Sequence, residues 1–380
     1  MKQEITLIAT TAMGLESIAA REVRKLGYET KVENGKVIFQ APISAIPRCN
    51  LWLRTSDRVK IVVGQFKATT FDELFERTKA LPWEQYITED GEFPVSGKSQ
   101  KSTLYSVSDF QAIVKKAIAE RLKLKFGLVT RLPETGALYK TEVSIHKDIA
   151  TLSLDTSGAG LHKRGYRVGQ GEAPLRETLA AALILLTNWE PSKTLIDPFC
   201  GSGTIPIEAA LIGQNIAPGF NREFSSEQWG IIKQQDWARA LEEAEDLANY
   251  DQSLNIIGSD INHNMISIAK NNAMEAGLAD VIQWKQMQVN DLTIKDENGY
   301  IIGNPPYGLR IGNATKIEEI YRSIGEIIRK HPTWSVYILT AFNQFEKIVG
   351  RKATKKRKLF NGFIRTDYYQ YFGQKCKKIQ

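Results

Sequence analysis

The chain has 380 residues, of which 42% are hydrophobic and 24% charged, with a formal net charge of +7 and an isoelectric point near 9.0. That length predicts two or three domains with sizeable cores, and the ordinary composition excludes a disordered or low-complexity chain. No apolar run reaches the roughly 18 to 20 residues that span a bilayer. The start, Met1-Lys2-Gln3-Glu4, lacks a secretory signal. Cys49, Cys200 and Cys376 are scattered without CxxC spacing and only four histidines accompany them, so neither a disulfide framework nor a metal site is expected, and a reducing cytoplasm is the default location.

In chain order, residues 5–9 read as extended, 15–26 as a helix ending at Gly27, and 36–39 as extended, which makes a small α+β unit over residues 1–60. A second unit follows over 61–155. It has a strand over 59–66, a helix over 71–80, a basic amphipathic helix over 110–124 with Ser108 as its expected N-cap, and a strand over 149–154. Phe110, Ile113, Val114, Ala117, Ile118 and Leu122 form that helix's apolar stripe, which leaves Lys115, Lys116, Arg121, Lys123 and Lys125 toward solvent. A glycine-rich loop over 157–160 and the basic segment His162-Lys163-Arg164-Gly165-Tyr166-Arg167 mark the boundary of a third unit, 156–380.

Within that unit helices are predicted over 175–187, 205–211 and 264–276, alternating with strands over 194–197, 255–260 and 299–303. Such alternation predicts an α/β fold with a doubly wound, mostly parallel sheet. The strand over 194–197 runs into Asp197-Pro198-Phe199-Cys200-Gly201-Ser202-Gly203-Thr204, where glycines let a ligand approach the backbone. The spacing is not GxGxxG, no Gly-Lys-Ser/Thr follows, and an acid at the turn would repel a pyrophosphate. Asp197 instead suits a cationic ligand such as a sulfonium nucleoside. The plain alternative is a tight turn with an N-capping Asp. Asp260 ends the next strand, where an acid accepts hydrogen bonds from ribose hydroxyls, or else caps a helix that Asn262 could also cap. A third strand end around residues 286–291 should border an adenine ring, with Gln288 or Asp291 as its partner.

Asn304-Pro305-Pro306-Tyr307 follows the apolar run over 300–303. Proline disfavours the helical conformation in the residue before it and has no N–H, so carbonyl oxygens dominate this corner. The Asn304 side-chain oxygen and the Pro305 carbonyl can accept both hydrogens of an NH2 group, while the Tyr307 ring offers a stacking face. A second basic cluster, Arg351, Lys352, Lys355, Lys356, Arg357 and Lys358, joins the helical one as a candidate polyanion contact, although a charge run is more often a solvated face.

Together, the Asp-Pro-x-Cys-Gly-x-Gly-Thr turn, Asp260 and Asn-Pro-Pro-Tyr-Gly resemble a class I S-adenosylmethionine-dependent methyltransferase of the amino-methylating group. The stretch Leu161-His162-Lys163-Arg164-Gly165-Tyr166-Arg167 followed by Ala173-Pro174-Leu175-Arg176-Glu177 resembles the bacterial THUMP-domain RNA methyltransferases, the family that includes the 23S rRNA guanine-N2 enzymes. The resemblance covers nearly the whole chain. It implies a Rossmann-like methyltransferase domain preceded by ferredoxin-like and THUMP domains. It implies S-adenosylmethionine held by Asp197, Pro198, Gly201, Gly203, Thr204, Asp260, Ile261, Gln288, Asp291 and Asn304, with chemistry at Asn304, Pro305, Pro306 and Tyr307. Structured RNA, rRNA or else tRNA, would meet Lys115, Lys116, Arg121, Lys163, Arg164, Arg167, Lys355, Lys356 and Arg357. The product expected is N2-methylguanosine in 23S rRNA. Adenine-N6 methylation of DNA or RNA is the alternative, and a non-catalytic RNA-binding assembly factor a further one. Cys200 reads as a packing residue, and no metal or covalent intermediate is required.

Overall fold

The computed structural model describes residues 4–171, 174–307 and 314–374. Met1, Lys2, Gln3, Ala173, Gly308 and Cys376 lie outside the described residues. The chain divides into two compact units. The first comprises Met1–Thr11, Ala19–Leu161 and Arg222–Glu243, and the second Ala12–Ile18, His162–Asn221 and Ala244–Gln380.

The first unit is built on β1 (Glu4–Thr11), β2 (Thr30–Glu33), β3 (Lys36–Pro42), β4 (Ser56–Lys67), β5 (Val95–Gln100), β6 (Thr141–His146) and β7 (Ile149–Asp155). Helices α1 (Glu16–Lys25), α2 (Ala45–Trp52), α3 (Phe71–Lys79) and α4 (Val107–Phe126) lie between these strands along the chain, with β2–β3 and β6–β7 following one another directly. The two small units expected up to residue 155 share one sheet, in the order β2-β3-β1-β4-β7-β6-β5. The shared member is β4, whose twelve residues include the strand expected over 59–66 and pair antiparallel with β1 and with β7. Helix α3 starts at a capping box, with Glu73 N–H donating to the Thr70 hydroxyl at 3.2 Å. Helix α4 starts one turn earlier than its periodicity suggests. Ser106 is its N-cap and Ser108 lies in the first turn, while Gly127 ends it in the left-handed conformation. The segment from Arg222 completes this unit: Arg222 donates to the carbonyls of Ala159 and Gly160, both at 2.7 Å, and Trp229 stacks on Tyr139 at 4.8 Å.

The second unit contains α5 (Glu177–Leu185), β8 (Thr194–Asp197), α6 (Thr204–Gly213), the last turn of α7 (Gln234–Leu247, whose residues up to Glu243 belong to the first unit), β9 (Ile256–Asp260), α8 (His263–Glu275), β10 (Ile282–Gln286) and β11 (Gly299–Gly303). It continues through α9 (Ala314–Lys330), β12 (Ser335–Thr340), α10 (Phe345–Val349), β13 (Lys355–Asn361) and β14 (Ile364–Tyr371). The strand order is β10-β9-β8-β11-β12-β14-β13, all parallel except β14, which runs against both neighbours. Alternation along the strands fills both faces: Leu195 and Ile302 enter one buried cluster with α5, α6 and α8, and Ile196 and Ile301 enter another with α9 and α10. Between β8 and β11 the connections leave in opposite directions. Open α/β sheets bind ligands at that switch point, outside the carboxyl ends of the strands. Asp197, Asp260 and Gly303 end the three strands that flank it.

Candidate active site

The glycine turn is fixed from the neighbouring strand. Cys200 N–H donates to the Ser259 carbonyl at 2.9 Å, and Gly201 N–H donates to Asp260 Oδ2 at 3.0 Å. The other Asp260 oxygen accepts from Asn262 N–H at 2.9 Å. Asn262 caps α8 through its own side chain, as the sequence allows, so Asp260 is left to hold the turn. An ionised carboxylate offers about four acceptor positions, and two remain for a ligand. Asp197 is 1% exposed and accepts from Phe199 N–H at 3.0 Å. Burial, and then the charge of Asp260, push its carboxyl well above the usual carboxylate range.

The two glycines have different work. Gly203 has φ +86, and a Cβ there would meet the Trp284 ring at 2.7 Å, so this position serves the turn and its packing. Gly201, with φ +51, would carry a Cβ into open space. It is the place where a ligand can approach the backbone. A glycine-lined strand end bearing two mutually repelling acids fits a cationic nucleoside with free hydroxyls and rejects polyphosphate. Those are the demands S-adenosylmethionine makes of a site. Ile261 is 63% exposed beside Asp260, and Gln288 and Asp291 are exposed beyond β10, where an adenine ring needs an apolar face and polar edges. Pro198 and Thr204 are buried in the turn. Cys200 is 6% exposed and burial raises its thiol far above the ordinary value, which leaves it an inert packing residue.

Arg167 holds the turn from the other side. Its guanidinium donates to Glu177 Oε1 at 2.7 Å, Ser202 Oγ at 3.0 Å, Thr204 Oγ1 at 3.0 Å and the Leu175 carbonyl at 3.1 Å. Asn272 on α8 adds a second bracket: it accepts from Val168 and Gly169 N–H and donates to the Gly169 and Ser202 carbonyls. Arg164 is 3% exposed and pairs with Glu208, which Tyr166 also contacts. The basic segment expected to meet RNA is therefore turned inward at Arg164 and Arg167, because each guanidinium finds a buried carboxylate, and only Lys163 of the three is exposed. Nothing in the sequence marked Asn272 or the inward turn of Arg167.

At the end of β11, Asn304 and Tyr307 are half-buried, Pro305 is buried and Pro306 is exposed. The Asn304 carboxamide oxygen, expected to be bare, accepts from the Tyr307 hydroxyl, which also meets the Asn361 side chain. One of its two lone pairs stays available. The Pro306 carbonyl is fixed by a buried relay that no local sequence pattern marks. Tyr321 Oη donates to it at 3.1 Å and lies 2.9 Å from Thr340 Oγ1, and Thr340 Oγ1 accepts from Phe342 N–H at 3.1 Å. Burial pushes the Tyr321 hydroxyl up to about 12, which keeps it a donor.

Other expected RNA contacts vary in their freedom. On α4, Lys115 pairs with Glu134 and lies over the Phe93 ring, Arg121 forms a two-bond fork with Glu84, and Lys116 is exposed near Phe75. Two of the three helical cations are thus already neutralised, since Glu84 from a short helical turn and Glu134 from a loop reach them. Lys355 and Lys356 are exposed on β13, the sheet's edge strand, while Arg357 is half-buried beside Ser17.

Residues 164–370 match the family model described as the RMKL-like methyltransferase domain, residues 6–60 the RlmL ferredoxin-like domain, and residues 68–155 the THUMP domain. The chain belongs to the RMKL-like methyltransferase family. Within it, the chain is 61% identical to a Bacillus subtilis protein named "Putative RNA methyltransferase YpsC", over 98% of this chain and 97% of that one. It is 34% identical over 96% of its length to the ribosomal RNA large subunit methyltransferase K/L of Syntrophotalea carbinolica, of which it covers 53%. The chain thus spans about half the length of that K/L enzyme. Among solved structures, SMU.472 complexed with SAH superposes with a TM-score of 0.95 at 47% identity, covering 99% of this chain and 100% of the other.

Proposed function

We propose that this RMKL-like methyltransferase transfers a methyl group from S-adenosylmethionine to an exocyclic amine of structured RNA, and that the amine is N2 of a guanosine in large-subunit rRNA. The observation that carries the reading is the meeting of three strand ends at the sheet's switch point: buried Asp197, the Asp260-tethered turn open at Gly201, and the Asn304–Tyr307 corner. The names of the relatives in Bacillus and Syntrophotalea, and SAH in SMU.472, support it. In the same reading, residues 1–60 and 61–155 gather and orient RNA, residues 156–380 carry out transfer, and the enzyme works in the cytoplasm.

The donor supplies an activated methyl on a sulfonium centre. Asp197, Asp260, the backbone at Gly201, and Ile261 with Gln288 or Asp291 would hold it. Asn304 and Pro305 accept the hydrogens of the target amine and so turn its lone pair outward. Tyr307, tethered at its hydroxyl by Asn304 and Asn361, presents a ring against which an unpaired base can stack. Extraction of that base from its stack costs a few kcal/mol, which stacking and phosphate contacts offset. Alignment and electrostatic fit then supply the rate.

Incubation with methyl-labelled donor and protein-free ribosomal RNA tests this, alongside filter binding across a salt series. The expected result is label in RNA and an affinity that falls steeply with salt. Label confined to duplex DNA, or none in any nucleic acid, would overturn the assignment.

A further inference from the structure

The edge hairpin of the methyltransferase sheet carries a side chain that the transfer scheme leaves unused. β13 and β14 are joined through Gly362 and Phe363, with Asn361 paired to Ile364, and Gly362 adopts φ +62. Two-residue hairpin turns require such a left-handed residue, which glycine supplies without strain. Phe363 consequently stands at the tip with 106% relative exposure, the most exposed large hydrophobic side chain among the described residues. Lysines on an edge strand have a general use in blocking edge-to-edge association. A solvated phenyl ring at the tip works against that purpose.

Two features around the ring select its ligand. Lys355, Lys356, Lys358 and Arg365 are exposed on the two strands, against a single acid, Asp367, so the hairpin favours a polyanion. Lys356 and Lys358 lie over the Tyr369 and Phe360 rings at 5.3 and 5.4 Å, which limits where their charges point. The hairpin is also tied to the reacting corner, since Asn361 meets the Tyr307 hydroxyl. Phe363 follows Asn361 by two residues, at most about 7 Å of chain. Aromatic rings flanked by cations are the usual means of gripping unpaired nucleotides, the ring taking a base and the cations the backbone.

We infer that Phe363 stacks on an unpaired base adjoining the nucleotide whose amine faces Asn304, while the β13 lysines hold that strand's phosphates. This rests on the RNA methylation proposed above. The ring touches nothing it supports in the free protein, so its replacement leaves the fold intact and the experiment readable.

Phe363→Ala, Phe363→Leu and Phe363→Trp are compared with the unaltered protein in filter binding to protein-free rRNA, methyl transfer to it, and calorimetry with S-adenosylmethionine. Loss of one base stack predicts about 5- to 150-fold weaker RNA binding for Phe363→Ala. Phe363→Trp should bind as the parent does, Phe363→Leu should fall near Phe363→Ala, and donor affinity should stay unchanged in all three. Parental RNA binding by Phe363→Ala, or equal rescue by leucine and tryptophan, overturns the stacking. A defect seen only with ribosomal particles, and not with naked RNA, would mean a protein partner and overturns it too. If the unaltered protein neither binds nor methylates RNA, the underlying assignment fails and this inference falls with it. If the unaltered protein is active and Phe363→Ala matches it, only this inference fails.

Discussion

Arg167→Lys keeps a positive charge at the glycine turn and removes the planar fork that holds it. The guanidinium reaches Glu177, Ser202, Thr204 and the Leu175 carbonyl together. A lysine ammonium, a point charge on a flexible stem, cannot span four acceptors set around a plane. Retention of the Glu177 contact and loss of two or three of the others, at about 0.5 to 1.5 kcal/mol each, removes about 1 to 4 kcal/mol of native-state order. The Glu177 ion pair is only 16% and 5% exposed, but lysine preserves its charge, so it adds little to the difference. If half of the loss falls on the arrangement of Ser202 and Thr204, S-adenosylmethionine should bind about 2- to 30-fold more weakly. RNA affinity should change less than about twofold, with the same salt slope, because the number of phosphate contacts is unaltered. Calorimetry and filter binding read the two quantities separately. Unchanged donor affinity with weakened RNA binding would refute the bracket and restore Arg167 to the RNA surface.

Asn304→Ala should abolish methyl transfer while fold and donor affinity are largely kept, whereas Asp260→Ala, which frees Gly201 and Asn262 N–H together, should weaken donor binding; single-turnover assays and calorimetry separate them. Tyr321→Phe keeps the buried ring and removes the hydroxyl that pins Pro306. Because a misplacement near 1 Å can cost about 100-fold, transfer should slow by about 10- to 100-fold with donor affinity unchanged, and full activity would dismiss the relay. Arg164→Met strands Glu208, which is 0% exposed, and should cost about 3 to 5 kcal/mol in chemical denaturation. The double variant Arg164→Met with Glu208→Leu should recover most of that loss, since no uncompensated charge then stays buried.

Within the second unit, β8, β9 and β11 and the helices α5, α6 and α8 were readable because their signals are local, whereas α7 and every element after β11 were not. β8 and β11 occupy the predicted residues, since apolar runs bounded by a glycine turn and a double proline leave little choice of ends. Strands without an apolar run were not readable: Val95–Gln100 is Val-Ser-Gly-Lys-Ser-Gln, with no alternation of hydrophobicity, and it becomes a strand by pairing in parallel with Thr141–His146. The merger of two N-terminal units through β4 also escaped, because sequence carries no mark of which strand edges are shared. Side-chain destination was the weakest point. Arg164, Arg167, Lys115 and Arg121 read as a basic surface, yet each meets an acid that lies between 10 and 44 residues away in sequence. Composition counts such charges without seeing their partners. The Asn304 corner was legible in residue type, but the Tyr307 hydroxyl on its acceptor and the support from Tyr321 and Thr340 depend on tertiary packing.

Central to the whole account is the transfer of a methyl group to a base amine. Mass analysis of nucleosides from large-subunit rRNA tests it most directly, with a strain lacking this protein compared before and after in vitro treatment with the enzyme and S-adenosylmethionine. One N2-methylguanosine should be absent from the deletion strain and restored by the unaltered protein, but not by Asn304→Ala. An N6-methyladenosine in its place would keep the amine chemistry and move the target. Identical nucleoside profiles in the two strains, with no transfer in vitro, would contradict the account.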